Sequence, residues 1–423
     1  MLFIYSALPV GGIETFFVRM AKERFKKKLP TSILLLSKPE QSNNELLSEI
    51  KKYADVIFPE DIFYGPFLFS CRLPLLSPFK RKAILDRLKD VDQIHVYDGM
   101  HAMLGYRIAK ELDRNTPITI GFYHYIKYLW GGEKVAWHER LNRDFIFNYL
   151  PEQSLLFFSE GSRDLYRKHK NKKLENSTTF RLGVVDKKNV VLNGTLIPPL
   201  KIVAVGRLVE FKTYNFFMVD VVGKLLEQGI DIQFDIYGDG PLKQDVQDKI
   251  NQAGLQNKIV LKGTLDYSRF DQTIKNYDLF IGSGTAIIQA AALGIPCIVG
   301  VENMIKPKTY GYFSEVHNLH YHRKGLDIPL FEVSEIISNY LEMNESERLA
   351  IKQSHVDCID AFTNESCQLS MDALKNIEMP AYEFKFNRWV YEFSRIADRI
   401  IMKYNPRHPR RTQFEDFRNI NEK

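Results

Sequence analysis

Cysteine is scarce in this chain: four residues, Cys71, Cys297, Cys358 and Cys367, are scattered through 423 positions. No CxxC pair and no Cys/His cluster occurs, so neither a zinc-type motif nor a disulfide framework is expected, and a reducing compartment fits best. Also missing is any run of the roughly 20 apolar residues that a transmembrane helix requires. LFIYSALPV follows Met1 without the basic stretch of a secretory signal, so a cytoplasmic location is expected. Charge of one sign is not in large excess: 58 Lys and Arg stand against 52 Asp and Glu. The basic clusters carry no aromatic-interleaved RNA-binding motif, and nucleic acid is not an expected partner.

What remains is the composition of a soluble globular protein, 45% hydrophobic and 26% charged, long enough for two domains. The cations are unevenly spread. Lys26-Lys27-Lys28, Lys80-Arg81-Lys82 and the run from Arg163 to Lys173 all lie in the first half, as does the apolar, aromatic segment 63–79. Two expectations stand side by side. These features make a peripheral contact with an anionic inner membrane face, or the cations are solvated and the segment packs on its own sheet.

Short β-rich runs alternate with helical patterns throughout, which predicts an α/β protein with parallel sheets covered on both faces. Strands are expected at 2–8, 31–37, 54–58, 93–97, 118–124 and 155–160, with a helix over 13–25. In the second half strands are expected at 200–206, 232–238, 258–263, 278–281 and 296–300, with helices over 213–228, 241–254, 267–276 and 286–293. The predicted organisation is a first domain over 1–183, a hinge over 184–198, a second domain over 199–378, and a terminal helix and polar tail over 379–423. The helix is expected over 380–403, returning toward the first domain, with Trp389, Phe393, Ile396 and Ile400 on one apolar face.

In open α/β sheets, ligands bind beyond the carboxyl ends of the strands. Three turns qualify. Gly282-Ser283-Gly284-Thr285 joins a strand to a helix, where glycines admit a ligand and first-turn amides favour an anion. Arg207 leaves the end of a buried strand and Lys212 follows in the same loop, a pair suited to a diphosphate. Gly11-Gly12 lies between the first strand and the first helix, with Glu14 beside the positive helix start. His124 follows another strand, and Asp98 and His101 lie at the end of IHVY as candidate acceptor contacts.

Taken in order, VGRL with Lys212, IYGDGPL (236–242), KIVLKG (258–263), AAALGIPCIV (290–299), PVGGIE (9–14), His124 and FFSEGSRDLY (157–166) resemble family-4-type glycosyltransferases of the GT-B fold. The resemblance spans about 1–300. It implies two Rossmann-like domains facing a cleft, a UDP- or GDP-sugar donor bound by the second, and a saccharide or lipid-linked acceptor bound by the first. It also implies metal-independent hexosyl transfer with retention, in surface polysaccharide synthesis and without a cofactor. Arg207 and Lys212 would hold the diphosphate, Gly11 and Gly12 would close over it, and His124 would lie near the reacting centre. The sequence departs from the family at its paired glutamates, whose positions fall on Ile281 and Gln289. The alternatives are a nucleotide-sugar-binding subunit without activity and a sugar-nucleotide epimerase.

Overall fold

The computed structural model describes residues 1–9, 11–124, 127–266 and 269–412. It divides into two units: Met1–Gly183 with the chain from Asn364 onward, and Val184–Thr363.

The first unit holds a seven-stranded parallel sheet of β1 (Leu2–Tyr5), β2 (Ser32–Leu35), β3 (Asp55–Ile57), β4 (Ile94–Val96), β5 (Ile118–Gly121), β6 (Leu155–Phe157) and β7 (Thr178–Thr179). Their order is β3-β2-β1-β4-β5-β6-β7. Alternation along β1 shows why the run must be apolar throughout. Leu2 and Ile4 enter one core with Ala102, Met103 and Leu104 of the helix Gly99–Glu111. Phe3 and Tyr5 enter the other with Phe16, Phe17 and Met20 of the helix Gly12–Lys26. The inner strands are thus buried on both faces, as βαβ crossovers demand, while the edge strands β3 and β7 are partly exposed.

The second unit repeats the plan. Its five parallel strands are β8 (Leu200–Val205), β9 (Ile232–Tyr237), β10 (Ile259–Gly263), β11 (Leu279–Gly282) and β12 (Cys297–Val299), in the order β10-β9-β8-β11-β12. Ile202 and Ala204 face one core, and Val203 the other. The α/β class and the pair of Rossmann-like sheets expected from the sequence are those the chain adopts.

Three details differ from the sequence expectation. Residues 364–378, placed by sequence in the second domain, cluster with the first unit, where the helix Asn364–Asp372 packs on Gly12–Lys26. The terminal helix spans Arg388–Tyr404 and does not begin at 380, because the Asn387 side chain caps it by accepting from the amides of Trp389 and Val390. Before it, Phe384 and Phe386 alternate into the first core in extended chain, with the Phe384 amide bonded to the Tyr106 hydroxyl. The helix expected over 267–276 is observed as Phe270–Ile274, and Tyr267 and Ser268 lie outside the described residues.

Segment 63–79 divides between its two expectations. Phe63 and Leu75 are fully buried in the core, while Tyr64, Leu68 and Phe69 remain exposed. It is fastened to the terminal helix by a buried polar knot. Glu392 accepts the Leu75 amide at 3.1 Å and pairs with Arg395 at 2.6 Å, and Arg395 in turn donates to the Arg72 carbonyl. Glu392→Ala leaves Arg395 buried without its counter-charge. Urea denaturation is expected to show the first unit destabilised by about 3–5 kcal/mol.

Candidate functional site

In both sheets the winding reverses at one place, between β1 and β4 in the first unit and between β8 and β11 in the second. A crevice opens there beyond the carboxyl ends, and the sequence-predicted residues cluster at these two points.

In the second unit, β8 runs into Gly206 and Arg207, and the loop returns through Lys212. The loop is held from both sides. The Leu208 amide donates to the Asp239 carbonyl and Leu208 accepts from Leu242, while Asn303 donates to Phe211 and the Thr213 hydroxyl to Met304. Gly238 makes the first of these clamps possible, since a Cβ on it would collide with the Gly206 carbonyl oxygen. Lys212 folds back across the strand end, its Nζ lying 2.6 Å from where a Gly206 Cβ would stand. Burial lowers the Lys212 pKa, Glu302 opposes the shift, and Arg207 adds to it. The two cations are therefore near enough to feel one another, and an anion between them relieves that repulsion.

Across the crevice, β11 ends in the predicted turn. Ser283 is buried and its hydroxyl donates to Glu302 Oε1 at 3.0 Å. Gly284 has φ +70°, with nothing within 4 Å of a Cβ built on it, so only glycine supplies this open, left-handed corner without strain. Thr285 starts the next helix on the surface, and Gln289 is buried one turn below it. Ile281 is fully buried in β11 and presents no polar group.

Sequence reasoning missed Glu302. It lies three residues past the end of β12, at the same carboxyl edge, and burial raises its pKa against the pull of Ser283 and Lys212. Its position after a strand was the available signal. Tyr214 was missed too: it is fully buried, its hydroxyl is 3.7 Å from the position of a Gly206 Cβ, and it lies against Ser283, whose pull opposes the upward shift that burial gives its pKa.

In the first unit the predicted residues fall into two sets. Gly11 caps the helix Gly12–Lys26, and the Glu14 carboxylate folds back over it while accepting the Tyr5 hydroxyl at 2.8 Å. That helix start already carries a buried negative charge. Asp98 caps the helix Gly99–Glu111 by accepting the His101 amide, and His101 Nδ1 lies 2.8 Å from the same carboxylate oxygen. Burial pushes the Asp98 carboxyl up, but His101 and Lys127 outweigh this and hold it well below the usual range. His95 is internal, bonded to Thr119 and Tyr123.

Asp98 and His124 line a cavity of about 360 Å³, together with Tyr97, Lys127, Arg399 and Arg410. Lys127, another residue the sequence reading passed over, donates to the Tyr97 carbonyl at 3.0 Å with its ammonium over that ring. Burial brings its pKa down to about 8, against the opposing pull of Asp98. Burial, then Lys127, also lowers the pKa of His124, so its imidazole is neutral at pH 7. The cavity lining thus carries four cations, Lys127, Arg395, Arg399 and Arg410, and three carboxylates, Asp98, Glu139 and Asp398, whereas Gly11 and Gly12 are not among its lining residues.

The glycine clamp gives a direct check on the second-unit site. Gly238→Ala should displace Gly206 and Arg207 while leaving the sheet in place. Calorimetric titration with nucleoside diphosphate is expected to show at least about tenfold weaker binding, as the loss of one charge-assisted contact implies.

Comparison with known proteins fits this division. EpsF of Bacillus subtilis (strain 168), named as a glycosyltransferase, is 29% identical over 101 residues, which is 22% of this chain and 26% of EpsF. The chain thus spans about a quarter of that relative's length. A glycosyltransferase of Rickettsia africae ESF-5 superposes with a TM-score of 0.58 at 16% identity, over 89% of this chain and 99% of that one. Anabaena Alr3699/HepE, solved in complex with UDP-glucose, gives 0.54 at 13% identity, over 89% and 99%. These likenesses are of fold, and the fold is the GT-B type. Residues 195–318 match the family model of glycosyl transferases group 1, so the second unit carries a glycosyl transferase group 1 domain.

Proposed function

We propose that the protein is a glycosyltransferase that moves a hexosyl group from a UDP- or GDP-sugar to a saccharide or lipid-linked saccharide, in surface polysaccharide synthesis. The observation that carries this reading is the convergence of Arg207 and Lys212 at the β8/β11 reversal, inside the segment that matches the family.

Each residue has a defined task in this reading. Arg207 and Lys212 hold the diphosphate and offset the charge that grows on it as the glycosidic bond breaks. The Gly282–Thr285 turn contributes hydroxyl and amide donors, and Gln289 offers a neutral amide to the ribose where the family has a carboxylate. Catalysis by these groups needs no metal, and retention is the outcome the family resemblance implies. Glu302 supplies the carboxylate that Ile281 cannot, reached through Ser283 and a different strand. In the first unit the Asp98–His124 cavity takes the acceptor, with His124 as a neutral hydrogen-bonding group at the reacting end and His101 fixing Asp98. Lys127, Arg399 and Arg410 favour an acceptor that carries phosphate, as a lipid-linked saccharide does. Such an acceptor places the protein in the cytoplasm at the inner membrane face, with segment 63–79 as one contact.

Arg207→Ala and Lys212→Ala are each expected to lower turnover at least about hundredfold while the circular dichroism spectrum is unchanged. Both should also shrink the thermal shift given by nucleoside diphosphates. Nucleotide-sugar binding in the wild type with neither transfer nor donor hydrolysis would instead identify a binding subunit, and epimer formation without acceptor would identify an epimerase. Lys127 sets a pH dependence. Its folded-state pKa of about 8 lies below the ordinary lysine value, so its charge is present below pH 8 and lost above it. Binding of a phosphate-bearing acceptor should weaken as pH rises through 8, and Lys127→Met should abolish that step.

A further inference from the structure

The terminal helix Arg388–Tyr404 is turned inside out relative to an ordinary amphipathic helix. Its buried face is mostly polar: Glu392, Arg395 and Asp398 lie inward beside Tyr391, whose ring alone joins the core. Its outer face is apolar, with Trp389 59%, Phe393 65%, Ile400 55% and Tyr404 74% exposed and Ile396 between them. The positions step 4-3-4-4, which keeps them on one stripe along about 25 Å of helix. Seventeen residues that hide their acids and display Trp389, Phe393 and Tyr404 are built to meet something apolar.

The charges say what. Both acids of the helix are consumed inward, Glu392 by Arg395 and Asp398 by His408 at 3.0 Å. Every charged side chain exposed on the helix is a cation: Arg388, Arg399 and Lys403. From Arg388 to Thr412 the chain holds seven Lys or Arg against two acids. A second copy seated on this face in a two-fold interface would bring like charges together. An anionic bilayer offers an apolar layer for the stripe and phosphate for the cations, which reach it by extending along their own stems. Among the described residues no helix is long and apolar enough to cross a membrane, so this one lies in the surface.

We infer that the helix Arg388–Tyr404 is an interfacial membrane anchor, seated with Trp389, Phe393, Ile396 and Ile400 in the headgroup layer of an anionic bilayer. The short helix Phe67–Arg72, with exposed Leu68 and Phe69, belongs to the same neighbourhood, since Arg395 bonds the Arg72 carbonyl at its end. The inference names the membrane-contacting element and does not rest on the transferase chemistry, because its readout is partition onto vesicles and not activity.

The test is sedimentation of the full chain with phosphatidylcholine vesicles, with and without phosphatidylglycerol. The wild type should sediment with the anionic vesicles at low salt and be released as salt is raised. Phe393→Asp/Ile400→Asp should cut the partition coefficient at least about tenfold with little change in the thermal transition, since both side chains are more than half exposed and neither belongs to a core. Arg388→Glu/Lys403→Glu should abolish the preference for anionic lipid. Trp389 emission should shift to the blue on vesicle binding, and Trp389→Phe should remove that shift. The inference is overturned if the double aspartate variant sediments like the wild type. It is equally overturned if the wild type ignores anionic vesicles, or if light scattering shows a dimer that Phe393→Asp splits.

Discussion

Parallel strands can be joined only by crossovers that carry the chain from the carboxyl end of one strand back to the amino end of the next, and such crossovers keep one hand. That constraint orders the whole molecule. Starting each sheet from an interior strand, β1 in one and β8 in the other, makes the chain wind outward one way and then the other. The two helices on either side of the starting strand must then part. In the first unit they part between β1 and β4, and in the second between β8 and β11. Arg207, Lys212, Ser283 and Glu302 in one unit, and Asp98 and Lys127 in the other, stand where the winding leaves an opening. None of them has the freedom to be elsewhere without a different strand order.

The two openings are furnished differently. In the second unit, backbone comes first: glycines at 238 and 284 let loops approach and turn, and a partly buried lysine lies over the strand end with a carboxylate in reach. Burying an ammonium is costly unless a counter-charge is near, and here Glu302 and an incoming anion compete for that part. In the first unit side chains do the furnishing. Asp98 is spent on capping a helix and steadying His101, while Lys127, Arg399 and Arg410 reach the cavity from three separate stretches of chain.

The terminal helix links local sequence to a larger consequence. Its inward face closes the first unit with hydrogen bonds and ion pairs around the one ring, Tyr391, that it sends into the core. Tyr391 donates to Asn142 Oδ1 at 2.7 Å, and Glu392 and Arg395 secure the stretch from Arg72 to Leu75. Because polar groups satisfy the inside, the apolar residues are left for the outside. The same helix contributes Arg399 to the cavity, so its two faces serve a pocket and a surface at once.

Much of this was legible in the residues. The alternation of short apolar runs with helical patterns determined the α/β class and most strand positions, because a strand covered on both faces must be apolar at every position. The loop chemistry of Arg207, Lys212 and Gly282–Thr285 was legible because each lies next to a strand that is itself unmistakable. The periodicity of Trp389, Phe393, Ile396 and Ile400 fixed a face but not its direction, since a 3.6-residue repeat is the same whether the stripe meets a core or a membrane. Nor was the start of that helix visible, because Asn387 acts as a cap only once Phe384 and Phe386 are held in the core ahead of it. Glu302 and Lys127 stayed hidden for the same reason. Their partners come from other strands, Ser283 and Lys212 in one case and Asp98 in the other, and sequence separation carries no record of which strand edges a fold will bring together.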